Sequence, residues 1–424
     1  MTSLESWLDR IYTIRSGPEI EMGLERIRPV FDAMNVKPAC PVFLVAGTNG
    51  KGSVCAYLDA MLRAAGYKTA RYTSPHIHRF NERVCVNGVD ADDDELVAAF
   101  EAVETARAAC NNLALTFFEY TTLAAFRIFA KAKLDAWVIE VGLGGRLDAT
   151  NILEPDCSVI VSIGLDHMDF LGPTREHIAR EKAGVLRTGK PAIIAESDPP
   201  KSLLDAVKEK KAAALFVGKE YGWQRYEHMP TQWGFWLGAQ RRHGLPIPAL
   251  RGNYQLANAA AALAALHVLS DRLPVSQGAL RQGLLEVEWP GRFQVLPGRP
   301  TVVLDVAHNE HAAKALERAL SDMAFFPETY AVFAMLKDKD IAAVVSAVKG
   351  RVDHWYIAPL PGARGTTVEA IQDALIASGV APRAIHPFAS AADAYARARE
   401  NANEADRIVV FGSFLTVAAC SDPT

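Results

Sequence analysis

Residues 42–66 read VFLVAGTNGKGSVCAYLDAMLRAAG, and they set the architecture of the whole chain. The first five residues form a wholly apolar run, which is typical of a strand buried on both faces of a parallel sheet. From about Ser53 to Ala65 the pattern favours a helix, and Gly66 is a residue type that commonly ends one. The succession of strand, glycine-rich turn and helix predicts a ligand site at the turn.

The turn itself, GTNGKGS at 47–53, has the composition of a phosphate-binding loop. Glycines allow backbone N–H groups to approach phosphate oxygens, and the helix N-terminus adds partial positive charge. Lys51 can bridge the outer phosphates of a nucleotide, and the Ser53 hydroxyl can reach Mg²⁺. Gly52 separates the two, whereas the common Walker form places lysine directly before serine or threonine. The alternative, a glycine-rich turn without a ligand, is disfavoured by the flanking strand and helix.

Outward from this turn, apolar runs alternate with helical periodicities. Buried strands are predicted at 136–141 and 158–163, and helices at 4–14, 121–131, 178–186 and 256–269. This alternation predicts an α/β fold with an N-terminal P-loop-type parallel sheet wrapped by helices, and an antiparallel hairpin is expected at 219–243. The pattern restarts with predicted strands at 302–306, 330–335, 355–358 and 408–411. The restart predicts a smaller C-terminal Rossmann-like α/β domain.

A Pro/Gly-rich stretch at 290–300 separates the two patterns. A chain of 424 residues exceeds what one hydrophobic core usually supports, so two domains are expected. The predicted organisation is a first domain at 1–292, a linker at 293–299 and a second domain at 300–424.

Composition excludes several classes of function. Hydrophobic residues make up 50% of the chain and the formal net charge is −4, which fits a globular protein without an electrostatic footprint for nucleic acid. The opening residues lack the pattern of a secretory signal, and the apolar stretch 256–269 is too short to cross a bilayer. The six cysteines lack CxxC or metal-ligand spacing. We therefore expect a cytoplasmic protein with reduced cysteines and no membrane or nucleic-acid partner.

Polar residues stand at the ends of the predicted N-terminal strands, where open parallel sheets bind ligands. Glu140 ends an apolar strand, and either Mg²⁺ or a structural salt bridge would satisfy its carboxylate. His167 could ligate a metal or orient a phosphate, but on chemistry alone a satisfied core histidine is the better interpretation, because Mg²⁺ prefers oxygen. Ser74 could offer a hydroxyl to a cation, although Ser-Pro is common in turns.

The second domain repeats this arrangement at 303–309, VLDVAHN. Asp305 could bind a ribose hydroxyl, and His308 could meet a carboxylate or a phosphate. Ordinary strand-end groups with a helix cap at Asn309 are the alternative, and this fragment alone does not decide between them.

Taken in order, these and other motifs resemble the folylpolyglutamate synthase/dihydrofolate synthase family, a branch of the Mur ligase superfamily. The matching pieces are MGLER at 22–26, GTNGKGS at 47–53, TSPH at 73–76, FFEYTT at 117–122, EVGLGGRLDATN at 140–151, GLDHMDFLG at 164–172, IAREKAGV at 178–185, NYQLANAAAA at 253–262, WPGRFQ at 289–294, LDVAHNEHAA at 304–313, MLKDKD at 335–340 and FGSF at 411–414. The resemblance therefore covers nearly the whole chain.

The resemblance implies roles for individual residues. Nucleotide contacts would come from Thr48, Asn49, Gly50, Lys51, Gly52, Ser53, Asn258, Arg292 and Asp305. Two Mg²⁺ sites would be ligated by Ser53, Ser74, Glu140 and His167. Lys182 matches a lysine that is carbamylated in this family, although a solvated helix lysine would otherwise be preferred. The pterin pocket would include Phe118, Leu147 and Asp148, and glutamate would approach His308 and Ser413. Lys51, Lys182 and His308 would be catalytic, and Glu310 departs from the proline found in many relatives.

The implied activity is ATP-dependent ligation of L-glutamate, through an acyl phosphate, to dihydropteroate and to the γ-carboxylate of folates. Folylpolyglutamate synthesis alone and a Mur-type UDP-sugar-peptide ligase are the alternatives. The second would carry an extra N-terminal domain, whereas about forty residues precede the first strand here. A nucleotide-switch protein would need an Asn-Lys-x-Asp motif, which is absent. The resemblance also implies a monomer.

Overall fold

The computed structural model describes residues 3–14 and 20–422. The N-terminal lobe contains α1 (Leu4–Thr13), α2 (Ile27–Met34), β1 (Val42–Ala46), α3 (Lys51–Ala64), β2 (Thr69–Tyr72), β3 (Val84–Val86), β4 (Val89–Asp90), α4 (Asp93–Ala109), α5 (Phe117–Lys131), β5 (Ala136–Glu140), β6 (Cys157–Ile160), α6 (Met168–Leu171), α7 (Arg175–Lys182), β7 (Pro191–Ile194), α8 (Lys201–Lys210), β8 (Ala213–Phe216), β9 (Tyr221–Tyr226), β10 (Met229–Leu237), β11 (Gln240–Pro246), α9 (Tyr254–Val268) and α10 (Gln277–Glu286). The C-terminal lobe contains β12 (Gln294–Leu296), β13 (Thr301–Leu304), α11 (Glu310–Ser321), β14 (Thr329–Phe333), α12 (Ile341–Val348), β15 (His354–Ile357), α13 (Val368–Ala377), β16 (Ile385–Pro387), α14 (Ala391–Asn401), β17 (Arg407–Phe411) and α15 (Phe414–Ala419).

The main sheet of the N-terminal lobe has the strand order β4-β3-β2-β5-β1-β6-β7-β8. Strand β1 pairs in parallel with β5 on one side and β6 on the other, and β3 and β4 form an antiparallel edge. Phe43, Leu44 and Val45 are fully buried because helices cover both faces, as their apolar run requires. The predicted α/β fold class is confirmed.

The segment predicted as a hairpin forms a separate antiparallel sheet with the order β11-β10-β9. It extends beyond 243 to Pro246 because residues 240–246 pair with β10 as a further strand. Tyr221, Trp233 and Phe235 are buried in the same cluster as the alanine-rich face of α9, which anchors this small sheet to the lobe.

The C-terminal sheet has the order β12-β13-β17-β14-β15-β16, and its strands are parallel except for β12. The predicted linker at 293–299 differs from the structure here. Gln294–Leu296 is the antiparallel edge strand β12, and Val295 packs against the core of the lobe. The turn-forming residues on either side of this strand predict a linker. The backbone of residues 294–296 pairs with the edge of β13 instead, and the apolar Val295 side chain packs against the core.

The two lobes meet at the carboxyl ends of their central strands, which is where open α/β sheets bind ligands. Residues after β1, β5 and β6 line the same cavity as residues after β13. Among the residues that the structure describes, no helix is long and apolar enough to cross a bilayer. The six cysteines all lie within the described ranges, and none of them forms a disulfide.

Candidate active site

The phosphate loop leaves the start of α3 open. Gly50 is the N-cap residue with φ +87°, and no side chain within the described residues caps the first turn. The helix begins at Lys51, two residues earlier than predicted. A Cβ at Gly50 would stand 2.7 Å from Asn258 Oδ1, and one at Gly52 would stand 2.8 Å from Trp289 Nε1. The backbone N–H groups of the first turn of α3 are therefore available to an anion, and at Gly50 and Gly52 there is little room for any residue but glycine.

Thr48 and Asn49 hold the loop in place through their own hydrogen bonds. The Thr48 hydroxyl donates to Gly164 O at 3.1 Å and accepts from Gly164 N at 3.0 Å. Asn49 N donates to the Ser162 hydroxyl at 2.9 Å. These contacts tie the loop to the segment that follows β6, so both residues line the cavity while their bonds fix its shape.

Two lysines converge on one carbonyl of the loop. Lys51 Nζ donates to Gly47 O at 3.1 Å and to Thr48 O at 3.3 Å, and Lys182 Nζ donates to Gly47 O at 2.9 Å. Lys182 is buried, unlike the solvated helix lysine that was the alternative. Burial, and secondarily the charge of Lys51, lowers the pKa of Lys182 to about 7. A substantial fraction of its amine is therefore neutral near neutral pH.

The predicted metal ligands lie at the same edge of the sheet. Glu140 Oε2 accepts from Ser74 N at 3.1 Å, and burial raises the pKa of Glu140 although Lys51 opposes this. His167 has a left-handed backbone, and burial lowers its pKa to about 4, so its ring is neutral. His167 Nε2 lies 3.3 Å from Lys339 Nζ, which donates to it.

Of the predicted nucleotide-binding residues outside the loop, Arg292 and Asp305 line the phosphate cavity, whereas Asn258 lies against Gly50. Ser53 is buried and its hydroxyl accepts from Gln255 Nε2, while Asn258 donates to Gln255 Oε1. Arg292 is half-buried over the Phe414 ring, and within the described residues its buried Nη1 has no hydrogen-bond partner. Asp305 Oδ2 accepts from Phe293 N and Oδ1 from Ala307 N, both at 2.8 Å.

Beside the phosphate loop lies a second cavity of about 340 Å³ with largely apolar walls. Phe118 and Leu147 line it, and the Phe118 ring contacts Gly142 and lies 6.2 Å from the Tyr72 ring. Asp148 is buried in its wall and accepts hydrogen bonds from Leu143 N, Thr150 N and the Thr150 hydroxyl. The three predicted pterin-pocket residues therefore lie together at one cavity.

The C-terminal lobe contributes the remaining wall. The His308 Nδ1–H group donates to Val306 O at 2.8 Å, and Nε2 lies 3.7 Å from Asp166 Oδ2 at the cleft. Ser413 is the N-cap of α15, where its hydroxyl accepts from Leu415 N at 3.2 Å. His308 and Ser413 both line the apolar cavity.

Sequence reasoning missed several residues of the cleft. Asp166 accepts from Lys339 Nζ at 2.6 Å and from Asn309 Nδ2 at 3.0 Å, and Tyr254 lines the phosphate cavity. Although burial disfavours the Asp166 carboxylate, His308, His167 and Lys339 lower its pKa well below the usual value. Asp166, Tyr254 and Lys339 belong to the motifs that carry the family resemblance. Nothing in the spacing of these residues predicts that side chains of the second lobe contact the first.

The two cavities share walls. Ser74, Gly142, Leu143, His167 and His308 belong to both linings. An acid in the apolar cavity can therefore meet the last phosphate of a nucleotide in the loop, at a point that the second lobe covers. A nucleotide site joined in this way to an acid site and closed by a second lobe is that of an ATP-dependent ligase of the Mur type, which forms C–N bonds.

Comparisons with known proteins agree with that class. The Mur ligase middle domain matches residues 45–266, and the Mur ligase, glutamate ligase domain matches residues 291–414. A dihydrofolate synthase/folylpolyglutamate synthase of Escherichia coli (strain K12) is 43% identical over 416 residues, covering 98% of this chain and 94% of the relative. The chain belongs to the dihydrofolate synthase/folylpolyglutamate synthase family of Mur ligases.

Two solved structures share the whole arrangement. E. coli FolC in complex with DHPP and ADP superposes with a TM-score of 0.91 at 42% identity, covering 98% of this chain and 96% of that one. A bifunctional folylpolyglutamate synthase/dihydrofolate synthase with Mn, AMPPNP and L-glutamate bound has a TM-score of 0.90 at 41% identity, covering 99% and 97%.

Proposed function

We propose that this protein joins L-glutamate to two acids at the expense of ATP: dihydropteroate, which gives dihydrofolate, and the γ-carboxylate of a folate, which lengthens its glutamate tail. The observation that carries the proposal is the shared wall between the phosphate cavity and the apolar cavity. The relatives' ligands, DHPP with ADP in one structure and AMPPNP with L-glutamate in another, supply the substrate classes.

ATP is the phosphoryl donor in the proposed reaction. An oxygen of the acid attacks the γ-phosphorus in line, the bond to ADP breaks, and an acyl phosphate forms. Lys51 offsets the negative charge on the outer phosphates. Among the described residues the buried Arg292 Nη1 has no acceptor, which supports nucleotide binding here, because a buried donor without an acceptor fits a ligand oxygen. Asp305 has both oxygens engaged by backbone N–H groups, so we assign it to shaping the nucleotide wall as well as to contact with the ribose.

The residues at the strand ends fit Mg²⁺. Glu140 is a buried carboxylate whose pKa is raised, so a cation beside it would favour its charged form. Mg²⁺ needs few protein ligands when phosphates and water complete its octahedron, and Ser53 with Glu140 would hold one ion. Ser74, Glu140 and His167 would hold a second ion. Bound Mg²⁺ supplies charge neutralisation at the β- and γ-phosphates.

Lys182 is proposed to be carbamylated. A neutral amine attacks CO₂, a new N–C bond forms, and one proton leaves, so the buried cation becomes a carboxylate. The lowered pKa of Lys182, about 7, supports this because it supplies the neutral amine. Incubation with ¹³C-bicarbonate should give a carbamate resonance that is absent from Lys182→Met. If the chain without this substitution also lacks the resonance, the modification is excluded.

The second half of the reaction belongs to the C-terminal lobe. The amine of L-glutamate attacks the acyl carbon, the C–O bond to phosphate breaks, and the amine loses a proton. His308 Nε2 can accept that proton or meet a glutamate oxygen, and Ser413 lies on the same side of the cavity. Closure of the lobes excludes the water that would otherwise hydrolyse the acyl phosphate. We propose that the chain works as a monomer in the cytoplasm.

The decisive experiment measures ADP release with Mg-ATP, L-glutamate and either dihydropteroate or tetrahydrofolate. Both acids should support release, and the products should gain one glutamate by mass. Lys51→Met should lower the rate by roughly 10²–10³-fold, as expected when one phosphate-neutralising donor is removed. Lys210→Met is the matched control, because Lys210 is exposed on α8. Release with tetrahydrofolate alone would reduce the assignment to folylpolyglutamate synthesis, and release with a UDP-muramoyl acceptor would replace it.

A further inference from the structure

Polar side chains from both lobes meet at one point of the cleft. Asn49 comes from the phosphate loop, Asp166 from the turn after β6, Asn309 from the start of α11 and Lys339 from the turn after β14; together they are called the interdomain latch. The Asn49 and Asn309 amides exchange two hydrogen bonds of 3.1 Å each. Asn309 Nδ2 also reaches Asp166 Oδ2 at 3.0 Å. The latch therefore joins the nucleotide loop to the second lobe.

Asp166 is the centre of the latch. Its Oδ1 accepts from Lys339 Nζ at 2.6 Å, and its Oδ2 faces Asn309 and lies 3.7 Å from His308 Nε2. The side chains of Asp166 and Lys339 are only 10% and 8% exposed. A carboxylate and an ammonium this deeply buried need each other, because neither retains enough water. The two partners come from different lobes, so the pair forms where the lobes meet.

The acids beside Lys339 in sequence have other partners. Asp338 forms a two-bond pair with Arg364 at 3.1 and 2.7 Å, and the Asp340 side chain accepts from Ala343 N at the start of α12. Lys339 instead crosses the cleft to Asp166. This choice of partner places its ammonium on the wall of the apolar cavity, next to His308.

We propose that Asp166 is a positioning residue that assembles the glutamate subsite, by holding Lys339 and His308 of the C-terminal lobe against the phosphate-loop domain. The inference deepens the proposed function and rests on it, because it assigns to one carboxylate the alignment of the second substrate. Asp166 is accordingly expected to affect the use of L-glutamate and to have little effect on the binding of nucleotide and pterin acid.

The test is Asp166→Asn, which keeps the shape of the side chain and removes its charge. The KM for L-glutamate should rise by roughly 10–100-fold, the range expected when a charge-assisted hydrogen bond is lost, while the KM for ATP stays within about twofold. Asp169→Asn is the matched control, since Asp169 is an exposed acid three residues further on, and its kinetics should not change. A melting curve of each variant verifies folding.

A double-mutant cycle with Lys339→Met separates positioning from general damage. If Asp166 acts through Lys339, the double variant should be no worse than the poorer single variant. Independent, multiplying effects would overturn the proposal. So would an unchanged KM for L-glutamate in Asp166→Asn, or a shift in the Mg²⁺ requirement that matches the loss of activity, which would mean that Asp166 acts through His167.

Failure of the proposed function has a different signature. An unmodified chain that releases no ADP with either pterin acid and L-glutamate would remove the reaction itself, whatever Asp166 does. An active unmodified chain with an unaffected Asp166→Asn variant would leave the reaction standing and remove the positioning role.

Discussion

The two lobes contain the same local motif, a buried strand that turns into a helix at the cleft, and they use it in opposite ways. In the N-terminal lobe β1 leads into α3 through Gly50, with no side-chain cap among the described residues. In the C-terminal lobe β13 leads into α11 through Asn309, whose side chain accepts from Ala312 N at 2.9 Å. In that second turn the Asp305 carboxylate also accepts a hydrogen bond from Ala307 N.

The difference assigns the two turns to different ligands. An uncapped helix start offers its backbone N–H groups and its dipole to an anion, so the first turn suits a phosphate. At a capped start one of those donors is engaged by the cap, and the second turn presents side chains such as His308 and Asn309 to the cleft. We therefore expect the phosphates to bind mainly to backbone groups of the first turn, and the amino acid to bind mainly to side chains near the second.

Among substitutions that test this difference between the two turns, Gly50→Ala should have the largest effect. A Cβ there would meet Asn258 Oδ1 at 2.7 Å and Val161 Cγ1 at 2.8 Å, at a φ of +87° that L-residues rarely adopt. The loop must shift by enough to misplace the phosphates, so kcat/KM for ATP should fall by roughly 100-fold or more, since small misplacements carry penalties of that size. Steady-state ADP release measures the effect.

Gly66→Ala is the matched control for that variant. Gly66 has nearly the same φ, +90°, but among the described residues no atom lies within 4 Å of an added Cβ. It should lose stability, by about 1 kcal/mol, and keep its activity. If both variants lose activity equally, backbone strain rather than obstruction explains Gly50, and the argument for an open phosphate turn fails.

Half of this contrast was predictable from sequence. A glycine-rich turn with Lys51 inside it leaves a local pattern, because the backbone conformations that it needs restrict the residue types. The strand and helix that flank it are also local patterns, and β1 matches its predicted bounds while α3 begins slightly earlier. The predicted parallel sheets followed from the same periodicities.

The other half depends on contacts between distant segments. The hydrogen bond from Lys339 to Asp166 spans 173 residues, and no local periodicity reports it. Likewise β12 was predicted as a linker, because three residues between turn formers carry too little pattern to show that they pair with β13. Family resemblance marked Lys182 as a site residue, whereas its chemistry alone favoured a solvated lysine, and its contact with Gly47 O is known only from the structure.

Substitutions at Asn309 should have the next largest effect. They can separate its role as the cap of α11 from its role in the interdomain latch. Asn309→Ala removes both, so it should lose about 1 kcal/mol of stability and raise the KM for L-glutamate roughly tenfold. Asn309→Ser can still cap α11, but its shorter side chain cannot reach Asp166, so its melting temperature should hold while the KM rises. Ser390→Ala, which removes the cap of α14, is the control for cap loss alone. An active Asn309→Ser variant with normal KM would show that this turn works by its cap.

The buried Lys182, which donates to Gly47 O in the first turn, should make the melting temperature depend on pH. Its pKa of about 7 lies below the ordinary 10.5, so the unfolded chain binds more protons between those values and stability rises with pH. In CO₂-free buffer the melting temperature should therefore increase from pH 7 to pH 9. Lys182→Met lacks this contribution, and the increase should shrink by a few degrees. An identical pH dependence in both proteins would place the charged lysine in water instead.

Glu310→Pro should have the smallest effect, although it stands at the start of the capped helix and beside His308. Glu310 is exposed at the first position of α11, and its carboxylate pairs with Lys314 one turn along the helix at 2.6 Å. Such an exposed pair contributes about 0.3–0.5 kcal/mol, and proline is well tolerated at the first helical position because the missing N–H has no helical partner. We expect a melting temperature within about two degrees and a KM for L-glutamate within about twofold of the unmodified chain. A tenfold change in that KM would show that the residue after the His-Asn pair helps to form the glutamate subsite, and the cap at Asn309 would then no longer suffice to explain how this turn presents its side chains.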